Sequence, residues 1–496
     1  MHDETVSSTG IAGFDEVLCG GLPRNRFYLV EGFPGTGKTT LGIRFLLEGV
    51  ARGERGLYVT LSETAAELDA IAASHGLSLA GVDIFELQPE EEQLNPDDQY
   101  TIAHPAEIEL GETTKRILDE VERTQPARVV LDSLSELRLL ARDPLRYRRE
   151  ILLLKQFFSR RQATVILLDD RTGEDADGQL QSISHGVVRL ESTPSEFGRD
   201  RRRLRILKLR GRQYAEGYHD FNIVPGGLCV FPRVLPGDVE VVPDSGLAQS
   251  GVPELDALLG GGLHFGTSTL LIGPAGVGKS IVASQYAHEA AEHGQCAAIY
   301  LFDESLHTFI TRSTGIGFDP RPHVAAGRII VDDVNLRQIS PGEFVSRVIR
   351  DVEERGARVV VIDSINGYVH GLAPEGSVIV QLHEMLAHLG RRNVLTLMIV
   401  AQHGIVGGAM HAPIDVSYLA DSVIMLRFFE AAGAVRRAIS VVKKRTGKHE
   451  PTIREMSVDA TGMHVGPALR DFQGVLTGVP SFVGASSNLR GDGGKR

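Results

Sequence analysis

Two glycine-rich segments of this chain have the residues of a loop that binds nucleoside triphosphates. Each has two glycines five positions apart followed by Lys-Thr or Lys-Ser, ending at Lys38-Thr39 and at Lys279-Ser280. In such a loop the backbone N–H groups and the lysine bind phosphates, and the hydroxyl ligates Mg²⁺. Each segment follows an apolar run and precedes a helical pattern, as the motif requires. The chain is therefore predicted to bind ATP with Mg²⁺ twice, through Gly32, Gly35, Thr36, Gly37, Lys38, Thr39 and Thr40, and through Gly273, Gly276, Val277, Gly278, Lys279, Ser280 and Ile281.

An apolar run that ends in aspartate follows each loop further along the chain. The first run ends in Asp132 and the second in Asp363. A buried strand would carry each aspartate to the carboxyl edge of a sheet, close to the hydroxyl of the loop. We therefore predict Thr39 with Asp132, and Ser280 with Asp363, as the ligands of the metal.

ATP hydrolysis also needs a carboxylate near the γ-phosphate. Glu63 and Glu304 each lie 25 residues after the loop lysine (63 − 38 and 304 − 279), and Asp303 precedes the second of them. Glu63, Asp303 and Glu304 are the predicted catalytic acids, although solvated acids at a helix start are the alternative. Because the neutral Ser62 takes the place of Asp303, we expect the first site to differ in catalysis.

The two halves of the chain are related by a constant offset. The lysine offset is 241 (279 − 38), and it also relates Gly10 to Gly251, Asp15 to Asp256, Leu18 to Leu259 and Glu63 to Glu304. Register held without a gap over this length indicates a tandem duplication of a whole domain.

Strand-like runs alternate with amphipathic helical stretches in both halves. This alternation predicts an α/β fold with a mainly parallel, twisted sheet flanked by helices in each half. The last two runs of each half are joined by a short polar link and are predicted to pair as an antiparallel hairpin. We predict an N-terminal domain over 1–232, a linker over 233–246, a C-terminal domain over 247–470 and a C-terminal segment over 471–496 that ends in a flexible tail. The predicted runs are 57–61, 128–131, 164–168, 186–190 and 203–209, then 298–302, 359–362, 396–400, 422–427 and 437–443.

Composition narrows the class of partner. The formal net charge of −12 argues against DNA as the main ligand, since proteins that bind its backbone are usually basic. Three scattered cysteines favour a reducing cytoplasm over a disulfide framework. The absence of an apolar stretch of about 18 residues predicts no membrane span.

The chain resembles the KaiC family of double RecA-like ATPases, which includes the circadian clock kinase. The resemblance covers about residues 7 to 480 and implies two RecA-like domains in a two-tier homohexamer, with ATP at each subunit boundary. The family's C-terminal regulatory loop resembles residues 471–480. The motifs that carry the resemblance are 9–15, 20–22, both phosphate-binding loops, 61–64, 131–135, 206–211, 302–305 and 439–445.

The resemblance also assigns residues that spacing alone does not. It implies that Lys208, Leu209 and Arg210 contact the ATP of a neighbouring subunit in one ring, and Lys443, Lys444 and Arg445 in the other. A cation from a neighbour would neutralise charge on the γ-phosphate. Charged residues that protect a sheet edge are the alternative.

The family autophosphorylates at adjacent Ser and Thr residues in its second ring. The matching residues here are Ser417 and Tyr418. Because a phenol places its oxygen elsewhere than a threonine does, single-site phosphorylation at Ser417 is expected and Tyr418 stays open. The acceptor proton would pass to Asp303 or Glu304 of the adjoining subunit. An ordinary loop hydroxyl is the alternative.

Three functions are compatible with these residues. The first is an ATPase and serine/threonine autokinase for circadian or signalling regulation, with a KaiB-like regulator as the implied partner. The second is a nucleotide-gated scaffold with little turnover. The third is a RecA-type DNA-dependent ATPase, which is disfavoured because residues 402–412 contain no Lys, Arg or aromatic residue.

Overall fold

The computed structural model of the chain divides into two compact units, Met1–Arg233 and Val234–Arg496, called here the first and second lobes. The predicted linker lies outside the described residues except at its two ends, and the tail lies outside them from residue 485. The structure describes residues 5–87, 105–141, 143–171, 178–195, 198–234, 246–335, 338–371, 375–402, 417–476 and 480–484.

The described part of the first lobe is an α/β unit built on one large sheet. From the first phosphate-binding loop to the start of β8, one or two helices separate each strand from the next. They are β1 (Val6–Ser7), α1 (Phe14–Val17), β2 (Leu22–Pro23), β3 (Phe27–Gly32), α2 (Lys38–Ala51), β4 (Gly56–Thr60), α3 (Ala65–Ser74), β5 (Val82–Glu86), α4 (Pro105–Thr124), β6 (Arg128–Asp132), α5 (Leu134–Ala141), α6 (Pro144–Arg160), β7 (Thr164–Asp170), α7 (Gly178–Ile183), β8 (Gly186–Thr193), β9 (Arg201–Leu209), β10 (His219–Val224) and β11 (Gly227–Phe231).

The second lobe repeats this arrangement in the residues that the structure describes. Its elements are β12 (Leu247–Ala248), α8 (Pro253–Leu258), β13 (Leu263–His264), β14 (Ser268–Pro274), α9 (Lys279–Glu292), β15 (Cys296–Leu301), α10 (Leu306–Gly315), α11 (Arg321–Ala325), β16 (Ile329–Asp333), α12 (Pro341–Glu353), β17 (Ala357–Asp363), α13 (Ile365–Gly371), α14 (Glu375–Arg391), β18 (Leu395–Gln402), β19 (Ser422–Ala431), β20 (Ala434–Lys444), β21 (Ile453–Asp459), β22 (Gly462–Ala468), β23 (Phe472–Gln473) and β24 (Ser481–Phe482).

The two large sheets have the same strand order. In the first lobe it is β5-β4-β6-β7-β3-β8-β9-β10-β11, and in the second β16-β15-β17-β18-β14-β19-β20-β21-β22. Neighbours from β5 to β8 are parallel, whereas β8 to β11 are joined by antiparallel pairs. The predicted fold class and both predicted hairpins, β8–β9 and β19–β20, are confirmed.

Both faces of the central parallel strands β3 and β14 are buried, as expected of parallel strands covered by helices. Alternate residues of β3 enter two different cores: Tyr28 and Val30 pack with α2 residues, and Phe27 and Leu29 with residues of α4 to α6. This double burial fixes where β3 ends and therefore where the phosphate-binding loop begins. Among the described residues, no helix is long and apolar enough to cross a membrane.

Candidate nucleotide-binding sites

The first phosphate-binding loop joins β3 to α2 at the carboxyl edge of the parallel strands. Gly35 and Gly37 have φ values of 78° and 99°, in the left-handed region that glycine tolerates best. A Cβ on Gly37 would also lie 2.9 Å from Cδ1 of Ile223 on β10. The backbone conformation thus favours glycine at both positions, the limited space favours it at Gly37 as well, and the loop leads into α2 at Lys38.

The second loop has the same shape between β14 and α9. Gly276 and Gly278 have φ values of 76° and 112°. A Cβ on Gly278 would lie 2.7 Å from Cε of Met456 on β21. The antiparallel part of each sheet therefore packs against the last glycine of the loop, Gly37 or Gly278.

The lysine of each loop folds back over its own backbone, and the first also pairs with a carboxylate. Lys38 Nζ donates to the carbonyl oxygens of Gly32 and Phe33, at 3.0 Å each, and lies 2.6 Å from Oδ1 of Asp170. Asp170 pairs with Gly32 across β3 and β7. A nucleotide phosphate at the first loop would have to compete with this carboxylate for the lysine.

At the second loop the position equivalent to Asp170 is Ala401, which pairs with Gly273. Lys279 Nζ donates to the carbonyl oxygens of Gly273 at 2.9 Å and Pro274 at 2.7 Å, with no carboxylate partner among the described residues. Burial lowers the pKa of Lys279 to about 8, although Asp363 opposes the shift. An incoming phosphate would supply the counter-charge that this lysine lacks.

A hydroxyl and a carboxylate meet beside each loop. Thr39 Oγ1 donates to Asp132 Oδ2 at 3.1 Å, and Tyr58 donates to the same oxygen at 2.5 Å. In the second lobe Ser280 donates to Asp363. Burial raises the pKa of both aspartates by more than the nearby cations lower it, which are Lys38 for Asp132 and Arg312 with Lys279 for Asp363. Hydroxyl and carboxylate oxygens are ligands that Mg²⁺ accepts, and the residues present therefore fit that ion.

Glu63 lies after β4 with an unsatisfied oxygen. Its backbone N–H and C=O both bond to Thr60 Oγ1, at 3.0 Å and 2.7 Å, which fixes the turn. Its Oε2 is buried and has no hydrogen-bond partner among the described residues. Burial raises the pKa of Glu63, and the negative charges of Asp132, Glu67 and Asp170 raise it further.

The acids of the second lobe have partners. Arg312 on α10 donates from Nε to Glu304 Oε1 at 3.1 Å and from Nη2 to Oε2 at 2.9 Å. Ser364, which follows Asp363, donates from Oγ to Asp303 Oδ2 at 2.6 Å. The two lobes therefore share a backbone frame but differ in how each acid is held.

A family model described as "ATPase: KaiC" matches the chain twice, over residues 7–234 and 248–470. The chain belongs to the KaiC ATPase family. It is 27% identical to "Circadian clock protein KaiC3" of Synechocystis, over 96% of this chain and 95% of that protein. It is 26% identical to "Circadian clock oscillator protein KaiC" of Synechococcus elongatus, over 96% of this chain and 92% of that protein. The resemblance predicted from the motifs is confirmed, and nucleotide binding follows from membership of an ATPase family.

In this KaiC-family chain, Lys208 and Leu209 are the last residues of β9 and Arg210 follows them, at the sheet edge opposite the phosphate-binding loop. Leu209 pairs with Gly186, which pairs with Tyr28 near the start of β3, whereas the loop follows the end of β3. Lys208 Nζ donates to the carbonyl oxygen of Gln181. Burial and the positive charges of Arg210 and Lys155 lower the pKa of Lys208. These cations form a positive cluster that is about 13 Å or more from the loop of the same lobe, at 3.3 Å per strand residue.

The second lobe has the same cations beside Ser417. Lys443 Nζ donates to the carbonyl oxygens of Ser417 at 3.0 Å and Ala420 at 2.7 Å. Arg445 lies 3.4 Å from the carbonyl oxygen of Tyr418. Lys444 instead bonds to the carbonyl oxygens of Leu259 and Gly262 and points elsewhere.

Ser417 and Tyr418 are exposed and lie just before β19. The N–H of Asp421 bonds to the carbonyl oxygen of Ser268 at the start of β14, whereas the second loop follows Pro274 at its end. The length of β14 therefore separates Ser417 from its own loop by about 20 Å.

Three residues of the two sites were not predicted from sequence: Tyr58, Asp170 and Arg312. Asp170 follows the predicted strand 164–168, and an acid at the end of a strand is a pattern that could have indicated a site residue. Its pairing with Lys38, however, depends on the strand order. Residues 403–412, which bear on DNA binding, lie outside the described residues.

Proposed function

We propose that the chain is a Mg²⁺-dependent ATPase that assembles as a homohexamer and phosphorylates itself on Ser417. The observation that supports this best is where each sheet carries its phosphate-binding loop and where it carries its cations. Each lobe has a phosphate-binding loop with a metal-binding pair at one sheet edge, and a cation cluster at the opposite edge. A single lobe thus carries both halves of a site that it does not complete alone.

For hydrolysis, the N–H groups of each loop would bind the ATP phosphates, and Lys38 or Lys279 would reach the terminal phosphates. Mg²⁺, when bound by Thr39 and Asp132 or by Ser280 and Asp363, would neutralise phosphate charge. Glu63 would orient the attacking water and take its proton, since its free oxygen faces no other donor.

In a head-to-tail ring, the loop edge of one lobe meets the opposite edge of its neighbour. Such heterologous interfaces close into rings when the rotation allows. Lys208 and Arg210, or Lys443 and Arg445, would then reach the γ-phosphate bound by the neighbour. Leu209 and Lys444 would support these strands.

For phosphoryl transfer, Ser417 Oγ would attack the γ-phosphorus of ATP bound by an adjoining subunit. The new O–P bond forms as the bond from γ-phosphorus to the bridging oxygen breaks, and ADP leaves. The hydroxyl proton would pass to Asp303 or Glu304 of that subunit. Transfer within one subunit is disfavoured by the length of β14, and Tyr418 is a further exposed hydroxyl next to the acceptor.

The relatives bear names of circadian clock proteins. We extend this to a proposed role in circadian or signalling regulation in the cytoplasm, with a KaiB-like partner and without DNA. A nucleotide-gated scaffold is the second candidate, because the Lys38–Asp170 ion pair opposes entry of a nucleotide at the first site.

The test is phosphopeptide mass spectrometry of the purified chain after incubation with Mg²⁺ and ATP, together with phosphate release and light scattering. We expect phosphate on Ser417 that is lost in Lys279→Ala and in Asp303→Asn/Glu304→Gln, but retained in an Arg321→Gln control. Phosphate on Ser417 of Lys279→Ala protein would contradict the assignment. A nucleotide-dependent hexamer without turnover would favour the scaffold.

A further inference from the structure

Two histidines and a glutamate of the second lobe come together at the end of α9. His288 and Glu292 lie four positions apart on that helix and therefore share one of its faces, and His323 reaches them from α11. One nitrogen of each histidine and one oxygen of Glu292 lie within 4.8 Å of one another. Two imidazole nitrogens and a carboxylate oxygen are a ligand set that Zn²⁺ prefers.

His323 is already held next to the carboxylate. The ring is buried, and its Nε2 lies 2.9 Å from Oε1 of Glu292. Ligand atoms about 2.1 Å from a tetrahedral ion lie about 3.4 Å apart, so this pair has to open by about half an ångström to admit one. The Glu292 side chain is 55% exposed and can make that movement. A bound ion would replace the proton that now joins the two atoms.

His288 offers a nitrogen that the protein does not use. Its Nδ1 is buried and has no hydrogen-bond partner among the described residues. The ring packs against Phe318, with 4.1 Å between the ring centroids, and its centroid lies 5.5 Å from that of His323. A buried polar atom without a partner is unfavourable, so this ring can turn a nitrogen to a cation without losing a hydrogen bond of Nδ1.

Arg328 is the group that opposes an ion here. Its Nε donates to Nδ1 of His323 at 3.3 Å, which leaves the ring proton on Nε2. Metal binding through Nε2 would move that proton to Nδ1, and Arg328 would have to turn away. The hydrogen bond is longer than an ordinary N–H bond, and the arginine is only half-buried, so little is lost when it does so.

The position of the cluster on α9 suits a cation and is separate from the nucleotide. Glu292 is the last residue of the helix, where the free carbonyl groups of the last turn create a negative potential. His288 and Glu292 follow Lys279 by 9 and 13 positions (288 − 279 and 292 − 279). At 1.5 Å per residue, they lie about 14 and 20 Å along the helix from the phosphate-binding loop.

The first lobe does not repeat these ligands. The offset of 241 places Leu47 at the position of His288 and Ala51 at that of Glu292 (288 − 241 and 292 − 241). Neither residue can bind a metal through its side chain. The cluster therefore was not required by the fold that the two lobes share.

His323 belongs to a segment that is longer in the second lobe. The connection from α10 to β16 covers residues 316–328 and contains α11, whereas the connection from α3 to β5 covers residues 75–81 and has no helix. An ion bound by His323 and α9 would fix this extra helix to the body of the lobe. A His323–Glu292 pair that only joined the two helices would not need a third polar ligand.

We propose that His288, Glu292 and His323 form a binding site for Zn²⁺ or a similar divalent transition-metal ion, which joins α11 to the end of α9. Three protein ligands leave a fourth position for water or for a group from a partner. The site does not depend on the proposed ATPase and autokinase function. Because the unfolded chain does not bring the ligands together, a bound ion stabilises the second lobe.

The experiment titrates Zn²⁺ into the full chain after treatment with a chelator, without nucleotide or Mg²⁺. Calorimetry measures the affinity, and the visible absorption of Co²⁺ bound in place of Zn²⁺ reports tetrahedral coordination. We expect one tightly bound ion per chain. Glu292→Gln and His288→Gln should each weaken binding by at least about tenfold, since loss of even an outer partner of a ligand weakens binding that much. Glu292→Gln changes an exposed side chain, so its folding is not at risk.

Two variants serve as controls. His293→Gln is the matched control, because His293 is an exposed histidine next to Glu292 that pairs with Glu289 instead. Asp132→Asn/Asp363→Asn removes the acid of both predicted Mg²⁺ pairs. Both should bind Zn²⁺ as the parent does. In a thermal unfolding scan, Zn²⁺ should raise the midpoint of the parent and of His293→Gln but not that of Glu292→Gln.

Three results would overturn the proposal. The first is a parent that binds no Zn²⁺, whatever the outcome for Ser417. The second is an unchanged affinity in Glu292→Gln or His288→Gln, which would place the ion on other ligands. The third is loss of the ion in Asp132→Asn/Asp363→Asn, which would place it at a nucleotide site.

Discussion

Glu63 is a carboxylate whose surroundings oppose its charge. Burial is the largest influence that raises its pKa, and Asp132, Glu67 and Asp170 add to it. A base works only when ionised, so activity is lost as the pH falls through the raised pKa. With Lys279→Ala silencing the second site, we expect the acid limb of phosphate release above the ordinary Glu value of about 4.3. Asp170→Asn removes one negative charge and should move that limb to lower pH in a pH–rate profile.

The position of the limb, rather than the rate, is the readout, because Asp170→Asn also frees Lys38. Asp83→Asn is the matched control, since Asp83 makes an exposed ion pair with Arg55 in the same lobe. If the acid limb stays in place in Asp170→Asn, or if it moves only in the Asp83→Asn control, Glu63 is not the base.

The phosphate-binding loops could be predicted from sequence because their chemistry is local. Eight consecutive residues specify each loop, including the glycines that need positive φ. The partners of the acids could not be predicted in the same way. Arg312 reaches Glu304 across two turns of α10, and Asp170 reaches Lys38 from a neighbouring strand. Such contacts depend on the strand order and on rotamers, which no short motif encodes.

At the scale of elements, Arg128 ties the start of β6 to the end of α2. It is fully buried, and it donates to Glu54 at 2.5 Å and to the carbonyl oxygens of Ser8 at 2.7 Å and Phe45 at 2.8 Å. Its guanidinium lies 4.7 Å from the ring centroid of Phe45. The helix that follows the first loop is thus anchored at the end opposite the phosphates.

Arg128→Met should lower the unfolding free energy of the first lobe by about 3–5 kcal/mol, because it removes a buried donor from two carbonyl groups and from Glu54, which would keep its ion pair with Arg24. Urea unfolding measures this, with the transition of the second lobe as an internal reference. Adding Glu54→Gln to Arg128→Met should restore part of the lost stability. Arg55→Met, which removes an exposed ion pair, should lower the unfolding free energy by less than about 1 kcal/mol. Equal losses in the two arginine variants would contradict the anchoring role.

The parallel strands could be predicted because each is a buried, apolar run, but β5, β10 and β11 were missed, as were β16, β21 and β22. The residues of β5 are all half-buried, so this edge strand lacks a clear apolar pattern. The β10–β11 hairpin did carry a signal, a Pro225-Gly226 turn between two apolar runs. A turn signal alone does not place this hairpin in the sheet, where Ile223 of β10 lies beside Gly37.

At the scale of the whole molecule, the duplication gives two sheets, and each sheet has a phosphate-binding loop at one edge and a cluster of cations at the other. Along each sheet these edges are opposite, so the cations of each lobe lie about 13 Å or more from the phosphate-binding loop of the same lobe. No sequence pattern predicts the distance between Lys38 and Lys208, because it depends on the pairing of β3, β8 and β9. If the proposed trans contact is right, each site needs a neighbouring subunit, and mixing two variants tests this requirement directly.

Two variants, both with Lys279→Ala to silence the second site, each lose one half of the first site. Lys38→Ala lacks a working loop but keeps its cations, and Lys208→Ala/Arg210→Ala keeps the loop but lacks the cations. Each alone should release little phosphate. Mixed in equal amounts and exchanged, about a quarter of the interfaces in a head-to-tail ring would join an intact loop to intact cations. Phosphate release should therefore recover to about a quarter of the parental rate, with assembly checked by light scattering. Assembled mixtures that stay inactive, or a Lys208→Ala/Arg210→Ala protein that retains full activity alone, would rule out a site shared between subunits.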